Sequence, residues 1–206
     1  SSTSRGLGDV YKRQVLRRLI VKSDVLIQSF LPDSAARLGV DYQAVRTIKP
    51  DIIYCSVNGY GPNGEMHNKA GYDLMMQAFS GVMSTTGHEG GPPVRVGISC
   101  IDMTTGIAAY GGIVTALLKR LNGSGGSHVT VSLLETAISL LGYHAVSWLQ
   151  AGKLPTREGS GVWHLVPYQA FMCKDGHVLV GATNDAACRR FCDAIDRNDL
   201  DADERF

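Results

Sequence analysis

Apolar and polar positions in the first quarter of the chain alternate between two patterns. Short apolar runs without a polar face predict buried strands, whereas apolar positions recurring every three to four residues predict helices. The predicted helices cover residues 15–22, 31–39 and 42–48, and the predicted strands cover residues 23–30 and 51–57. Because short joints connect these elements, the alternation is typical of an open, mostly parallel α/β sheet. Ligands of such sheets gather at the C-terminal ends of the strands.

The longest helical pattern follows Asp102. Apolar residues recur there at helical spacing, between positions that are mostly small, at Ile107, Tyr110, Val114, Leu117 and Leu121. Gly123 provides the expected stop signal. Further on, Ser132 and Glu135 form a capping box, which predicts the start of one helix that continues to residue 150.

These elements predict a large α/β domain at residues 15–150 and the beginning of a smaller domain at 163–206. A polar linker at residues 151–162 is expected between them. Residues 1–14 are polar and show neither the strand pattern nor the helix pattern, so we expect a non-native or disordered leader. Within it, residues 9–14 resemble translated sequencing-adapter read-through, and a flexible native terminus is the alternative.

Composition narrows the class of protein. Apolar residues make up 44% of the chain and charged residues 19%, which argues for a folded core. The formal charge of +1 favours neither nucleic acid nor a membrane surface as partner, and the apolar stretch 106–118 is too short to span a bilayer. No secretory signal opens the chain.

Cysteine and histidine usage adds two expectations. The five cysteines form no Cys-x-x-Cys pair, so reduced thiols in a cytoplasmic protein are favoured over disulfides. The six histidines show no ligand spacing, so no metal is predicted.

Asp102 is the candidate for chemistry. A carboxylate at the mouth of a helix N-terminus is expected to stay ionised, because free N–H groups and the helix dipole favour the anion. An ionised carboxylate can act as a nucleophile. The alternative is that Asp102 simply caps the helix, and spacing alone favours this second interpretation. Cys100, two residues earlier, has no basic partner nearby in sequence and is interpreted as a small buried residue.

Several motifs in order resemble the class III CoA-transferase family, which includes formyl-CoA transferase, carnitine CoA-transferase and the divergent alpha-methylacyl-CoA racemase. They are GPPVRVGISCID, TTGIAAYGGIVTALLKR, HVTVSLLE, PDIIYCSVNGYGPNG, AGYDLMMQAFSGVMSTTG and VPYQAFMCKDGHVLV. The resemblance covers nearly all of residues 15–206. It places Asp102 on the catalytic aspartate of the family.

The resemblance also implies two segments that contact CoA. The first comprises Ser29, Phe30 and Leu31, with Arg37 in the following helix, although Gln28-Ser29-Phe30 departs from the usual Glu-Asn-Phe. The second comprises Lys69, Ala70, Gly71 and Tyr72. The racemase branch carries a histidine base at the position of Tyr72, and since a phenol is a poor base near neutral pH, Tyr72 favours transferase chemistry.

The family resemblance further implies an interlaced homodimer with an open α/β large domain. It implies transfer of CoA between an acyl-CoA and a small carboxylic acid through an aspartyl mixed anhydride. Gly159 and Gly161 correspond to the mobile glycine loop of the family, near which backbone N–H groups would stabilise oxyanions. The first strands of the large domain are missing, so the chain is expected to be an internal fragment, inactive by itself. A racemase and an inert CoA-binding fragment are the alternatives.

Overall fold

The computed structural model describes residues 2–200, with side chains from Tyr11 onward. The helices are α1 (Ser2–Lys22), α2 (Pro32–Leu38), α3 (Tyr42–Ile48), α4 (Asp73–Ser80), α5 (Val82–Thr85), α6 (Cys100–Lys119), α7 (Leu133–Leu141), α8 (Tyr143–Ala151) and α9 (Asp185–Ala194). The strands are β1 (Val25–Gln28), β2 (Ile53–Asn58), β3 (Ser127–Ser132), β4 (Tyr168–Met172) and β5 (His177–Gly181). The chain forms two compact units.

The first unit comprises the residues up to Val82 together with Arg95–Lys153, and it contains a parallel sheet. The strand order is β1-β2-β3, with Ile27 opposite Cys55 and Cys55 opposite Val129. The central strand is apolar on both faces because helices cover both of them. The predicted fold class, an open parallel α/β sheet, is confirmed.

Two clusters of buried residues hold these helices to the sheet. On one face Ile53 and Cys55 pack against three residues of α6, namely Ala109, Ile113 and Ala116. On the other face Ile52 and Tyr54 pack with Ile20 of α1 and Val45 of α3. Gly112 explains how closely α6 approaches β3, since a Cβ atom there would lie 2.7 Å from Cγ1 of Val129.

Helix α6 ends as the sequence predicts. It is followed by a wider turn, Arg120–Ser124, in which Gly123 has φ of +88°. By length and composition alone, the segment Cys100–Ser124 would also suit a membrane-spanning helix. Because one face of α6 packs on the sheet through Ala109, Ile113 and Ala116, we interpret it as a helix of the α/β domain.

Two predicted boundaries in this unit are wrong. Helix α1 extends back to Ser2 through the leader, where we expected no regular structure at residues 2–14. The helix is docked by Leu16 and Ile20, and no proline interrupts its extension toward Ser2. The single helix predicted up to residue 150 is divided at Gly142, whose φ of +51° and ψ of −122° interrupt the helix between α7 and α8.

The second unit comprises Met83–Val94 and the chain from Leu154 onward. The predicted hairpin is present, with β4 and β5 antiparallel and Met172 opposite His177. The segment that we interpreted as a linker, residues 151–162, belongs to this unit from Leu154 onward. Arg157 donates to the carbonyl oxygens of Ser84 (3.3 Å) and Gly91 (2.7 Å), which joins two distant stretches of chain.

Candidate active site

A cavity of about 410 Å³ lies in the first unit, at the C-terminal ends of β1 and β2 and beside the start of α6. This volume is in the usual range for small-molecule sites. The structure brings seven of the nine predicted site residues to its lining: Ser29, Phe30, Leu31, Lys69, Ala70, Gly71 and Asp102. The two segments implied by the family resemblance therefore face a shared cavity with the candidate nucleophile.

The two ends of the loop that joins β2 to α4 touch each other through their backbones. A Cβ atom at Gly59, which follows β2, would lie only 3.0 Å from Cα and N of Gly71. A larger residue at either position would push the two ends of this loop apart. A side-chain hydrogen bond from Asn68 to Asp33 joins the same loop to the first turn of α2.

Asp102 lies in the first turn of α6 but does not cap it. The N-cap residue is Ser99, which makes no capping side-chain bond. Instead, one carboxylate oxygen of Asp73 accepts hydrogen bonds from the backbone N–H groups of Ile101 (2.9 Å) and Asp102 (3.3 Å). Asp73 is only 7% exposed. The capping alternative for Asp102 is therefore wrong, and the exposed Asp102 side chain lines the cavity.

The electrostatic surroundings of Asp102 differ from our expectation. Partial burial, followed by the charge of the Asp73 carboxylate, raises the pKa of Asp102 above its ordinary value of 3.8. Two of the amides that we expected to stabilise the anion, those of Ile101 and Asp102, donate to Asp73 instead. A raised pKa makes the Asp102 carboxylate more basic.

A buried glutamine holds Asp73 in this position. Nε2 of Gln77 donates to Oδ1 of Asp73 (2.5 Å), and Oε1 of Gln77 accepts from the backbone N–H of Val96 (2.8 Å). Gln77 is fully buried. The start of α6 is thus fixed by a polar network from α4 and from the segment that precedes α6.

Two predicted contacts lie outside the cavity lining. The guanidinium of Arg37 is exposed and donates to Oγ of Ser34 (2.9 Å) within the same helix. Tyr72 precedes α4 and is 59% exposed. Their roles in CoA binding stay predictions.

Sequence analysis missed several lining residues, among them Asn58, Gly59, Thr105, Gly106 and Leu133. Two signals were available. Thr105 and Gly106 follow Asp102 by three and four residues and so share its helix face. Asn58 ends β2 and Gly59 follows it, and parallel neighbouring strands end at the same edge of the sheet.

The second unit contains its own cavity of about 420 Å³, whose lining includes Gly159, Gly161, His88 and Tyr168. Gly159 has φ of +62° and donates its N–H to the carbonyl of Gly87 (2.8 Å). The role of these glycines as an active-site loop stays a prediction. Among the described residues, no group of three or more histidine, cysteine or acidic side chains is arranged to hold a metal.

The fold and the cavity are those of an α/β protein with a carboxylate nucleophile candidate at the carboxyl edge of its sheet. The family model described as CoA-transferase family III matches residues 7–206, so the chain belongs to that family. The family resemblance noted in the sequence is thereby confirmed.

Proteins similar to this chain in sequence are named as CoA-transferases. Human succinyl-CoA:glutarate CoA-transferase is 35% identical over 187 residues, covering 91% of this chain and 43% of that protein. Acetyl-CoA:oxalate CoA-transferase of Acetobacter aceti is 33% identical over 201 residues, covering 97% and 52%. The crystal structure of a CAIB/BAIF family protein from Brucella suis has a TM-score of 0.79 and 32% identity, covering 94% and 51%. The chain thus spans about half the length of these relatives.

Proposed function

We propose that the full-length protein transfers CoA between an acyl-CoA and a carboxylic acid, with Asp102 as the nucleophile. Because this chain corresponds to about half the length of its relatives, the activity tests below use that full-length protein. The observation that carries this proposal is that Asp73, and not Asp102, caps the start of α6. Asp73 accepts the hydrogen bonds of the helix amides, so the Asp102 carboxylate lines the cavity without capping the helix. A structural aspartate would be expected to do the capping itself.

In the proposed first step, a carboxylate oxygen of Asp102 attacks the thioester carbonyl carbon. The carbon–sulfur bond breaks, and its electron pair leaves on the CoA sulfur, which gives a mixed anhydride and CoA thiolate. The acceptor carboxylate then attacks the Asp102 carbonyl carbon and displaces the donor acid. Finally the thiolate attacks the acceptor carbonyl, which forms the new thioester and restores the Asp102 carboxylate. CoA has to stay bound throughout these steps.

The walls of the cavity suit that requirement. Phe30 offers an apolar ring, 49% exposed, on which a nucleotide base can stack. Among the described residues that line the cavity, the charged side chains are Asp102 and Lys69. We propose that Lys69 contacts the CoA phosphates, since it provides the positive charge among the described residues that line the cavity.

We further propose that the acceptor is a short dicarboxylate. This proposal is supported by the names of the two relatives above, which specify glutarate and oxalate as acids. A panel of acceptors tests it. Oxalate, succinate and glutarate should each give a kcat/KM at least tenfold above acetate and butyrate, and equal values would contradict it.

The nucleophile is tested by Asp102→Ala. Because no other group replaces the attacking oxygen, turnover with succinyl-CoA should fall below a hundredth of the wild-type value. CoA affinity by calorimetry should stay within about twofold, since the nucleophile is not a nucleotide contact. Asp175→Ala, in the exposed hairpin turn, is the matched control. Retention of a tenth of the wild-type turnover would refute the assignment.

We also propose a homodimer. One face of α6 presents a row of exposed apolar side chains that includes Met103, Ile107, Tyr110, Val114 and Leu118. Contiguous apolar surface of this kind typically marks an interface. Light scattering on the purified full-length protein should give twice the mass of one chain, and Ile107→Glu should shift the species toward the monomer.

A further inference from the structure

The side chain of Gln28 at the end of β1 joins the Phe30 wall of the cavity to the sheet. Its Oε1 accepts a hydrogen bond from the backbone N–H of Phe30 (2.6 Å). Its Nε2 donates to Oγ of Ser56 (3.2 Å), which in turn lies 2.8 Å from Nε2 of His128. We refer to Gln28, Ser56 and His128 as the polar relay. Each of its members comes from a different strand of the sheet.

The chemistry of the partners fixes the orientation of the Gln28 amide. The backbone N–H of Phe30 can only donate, so the amide oxygen has to face it. The amide nitrogen then faces Ser56, whose hydroxyl accepts from Gln28 and keeps its own hydrogen available for Nε2 of His128. A neutral His128 accepts that hydrogen. The partial burial of His128 favours this state because it lowers the pKa of the imidazole below its ordinary value of 6.5.

The strands hold the relay rigidly. Gln28 is directly opposite Ser56 in the parallel register, and His128 is opposite Tyr54, two residues before Ser56 on the same strand. Residues two apart on a strand share a face. The imidazole of His128 stacks on the ring of Tyr42, with centroids 4.5 Å apart, so its position is fixed from the helix side as well.

The Phe30 loop itself belongs to no helix or strand. Residues 29–31 lie between β1 and α2, and the Phe30 ring is half exposed at the cavity. The bond from Gln28 to the Phe30 amide is therefore a direct connection between this wall and the rigid sheet. Loss of this bond would free the Phe30 amide, and any ordering of the loop that then falls to the ligand costs affinity.

We propose that Gln28 is a positioning residue that presets the Phe30 wall for the CoA part of the substrate. This inference rests on the proposed function. It assigns to Gln28 a role that depends on its acceptor oxygen and on no charge. It also predicts that the effect appears in substrate binding, because Gln28 itself does not line the cavity.

Two variants of similar size distinguish the effect of the Gln28 acceptor oxygen from that of side-chain packing. Gln28→Met removes the acceptor, whereas Gln28→Glu keeps an oxygen for the Phe30 amide and can accept the hydroxyl hydrogen of Ser56. Since one hydrogen bond is lost, Gln28→Met should raise the KM for acyl-CoA about three- to tenfold with kcat within twofold. Gln28→Glu should stay within about twofold of the wild-type KM. Ser56→Ala should raise KM by a smaller factor than Gln28→Met.

Amide hydrogen exchange gives a readout that needs no substrate. The Phe30 amide should be protected in the wild type and in Gln28→Glu, and it should exchange several-fold faster in Gln28→Met. Equal protection in all three proteins overturns the relay. A wild type that binds no CoA in calorimetry overturns the proposed function. Binding that is equal in wild type and Gln28→Met overturns the positioning role alone.

Discussion

Replacing Asp73 by asparagine should change the stability of the fold and the pKa of the nucleophile together. The substitution leaves the size of the side chain unchanged but removes its charge and gives it an NH₂ group. If the asparagine oxygen stays on the amides of Ile101 and Asp102, the NH₂ group faces the donating Nε2 of Gln77. Rotation of Gln77 only moves the conflict, because its nitrogen would then face the N–H of Val96.

One buried donor therefore stays without an acceptor, which costs about 2 kcal/mol of unfolding free energy. For a chain of this size, that loss lowers the melting temperature by about 4–8 °C. The second effect is on the pKa of the nucleophile. Without the Asp73 charge the pKa of Asp102 falls, so the acid limb of the pH–rate profile should move to lower pH.

Differential scanning calorimetry and a pH profile of kcat/KM measure the two effects. Asp41→Asn is a matched control, because Asp41 caps α3 by accepting from Gln43 (3.0 Å) and Ala44 (3.1 Å), and asparagine caps a helix about as well. The control should change neither quantity. An Asp73→Asn protein with unchanged melting temperature and an unmoved acid limb would refute the role of Asp73 in holding Asp102.

Two further substitutions test other parts of the structure. His128→Phe keeps the stacking on Tyr42 but removes a group whose pKa is lowered by burial. Such a group contributes stability above its unfolded pKa of about 6.5, and this stability is lost as the pH falls below that value. Between pH 7 and pH 5, the melting temperature of the variant should therefore fall less than that of the wild type. Ser132→Ala removes the cap of α7 and should cost about 1 kcal/mol, whereas Ser139→Ala, exposed on the same helix, should cost less; equal melting temperatures would contradict the capping role.

Much of the first unit could be predicted because its patterns are local. The strands β1 and β2 have apolar residues on both faces, and α6 has a helical period and a glycine stop. Asp102 was found from its place at the start of that helix together with the family resemblance. The two segments that line the cavity, residues 29–31 and 69–71, were indicated by the family resemblance and not by the local pattern.

The parts that could not be predicted depend on contacts between distant residues. Nothing in the sequence near Asp73 shows that its carboxylate caps a helix that begins 27 residues later. Arg157 binds carbonyl oxygens at Ser84 and Gly91, and backbone carbonyls carry no sequence signal. The division at Gly142 was missed because apolar residues continue on both sides of it, and only its φ and ψ separate α7 from α8.

The most direct test of Asp102 as the nucleophile is chemical trapping of the acyl intermediate. The protein is incubated with succinyl-CoA and quenched with hydroxylamine, which converts an aspartyl anhydride into a hydroxamate that peptide mass spectrometry can locate. The wild type should carry the hydroxamate on Asp102, and Asp102→Ala should carry none. A hydroxamate on any other residue, or continued transfer by the wild type with no modification of Asp102, would contradict the proposed mechanism.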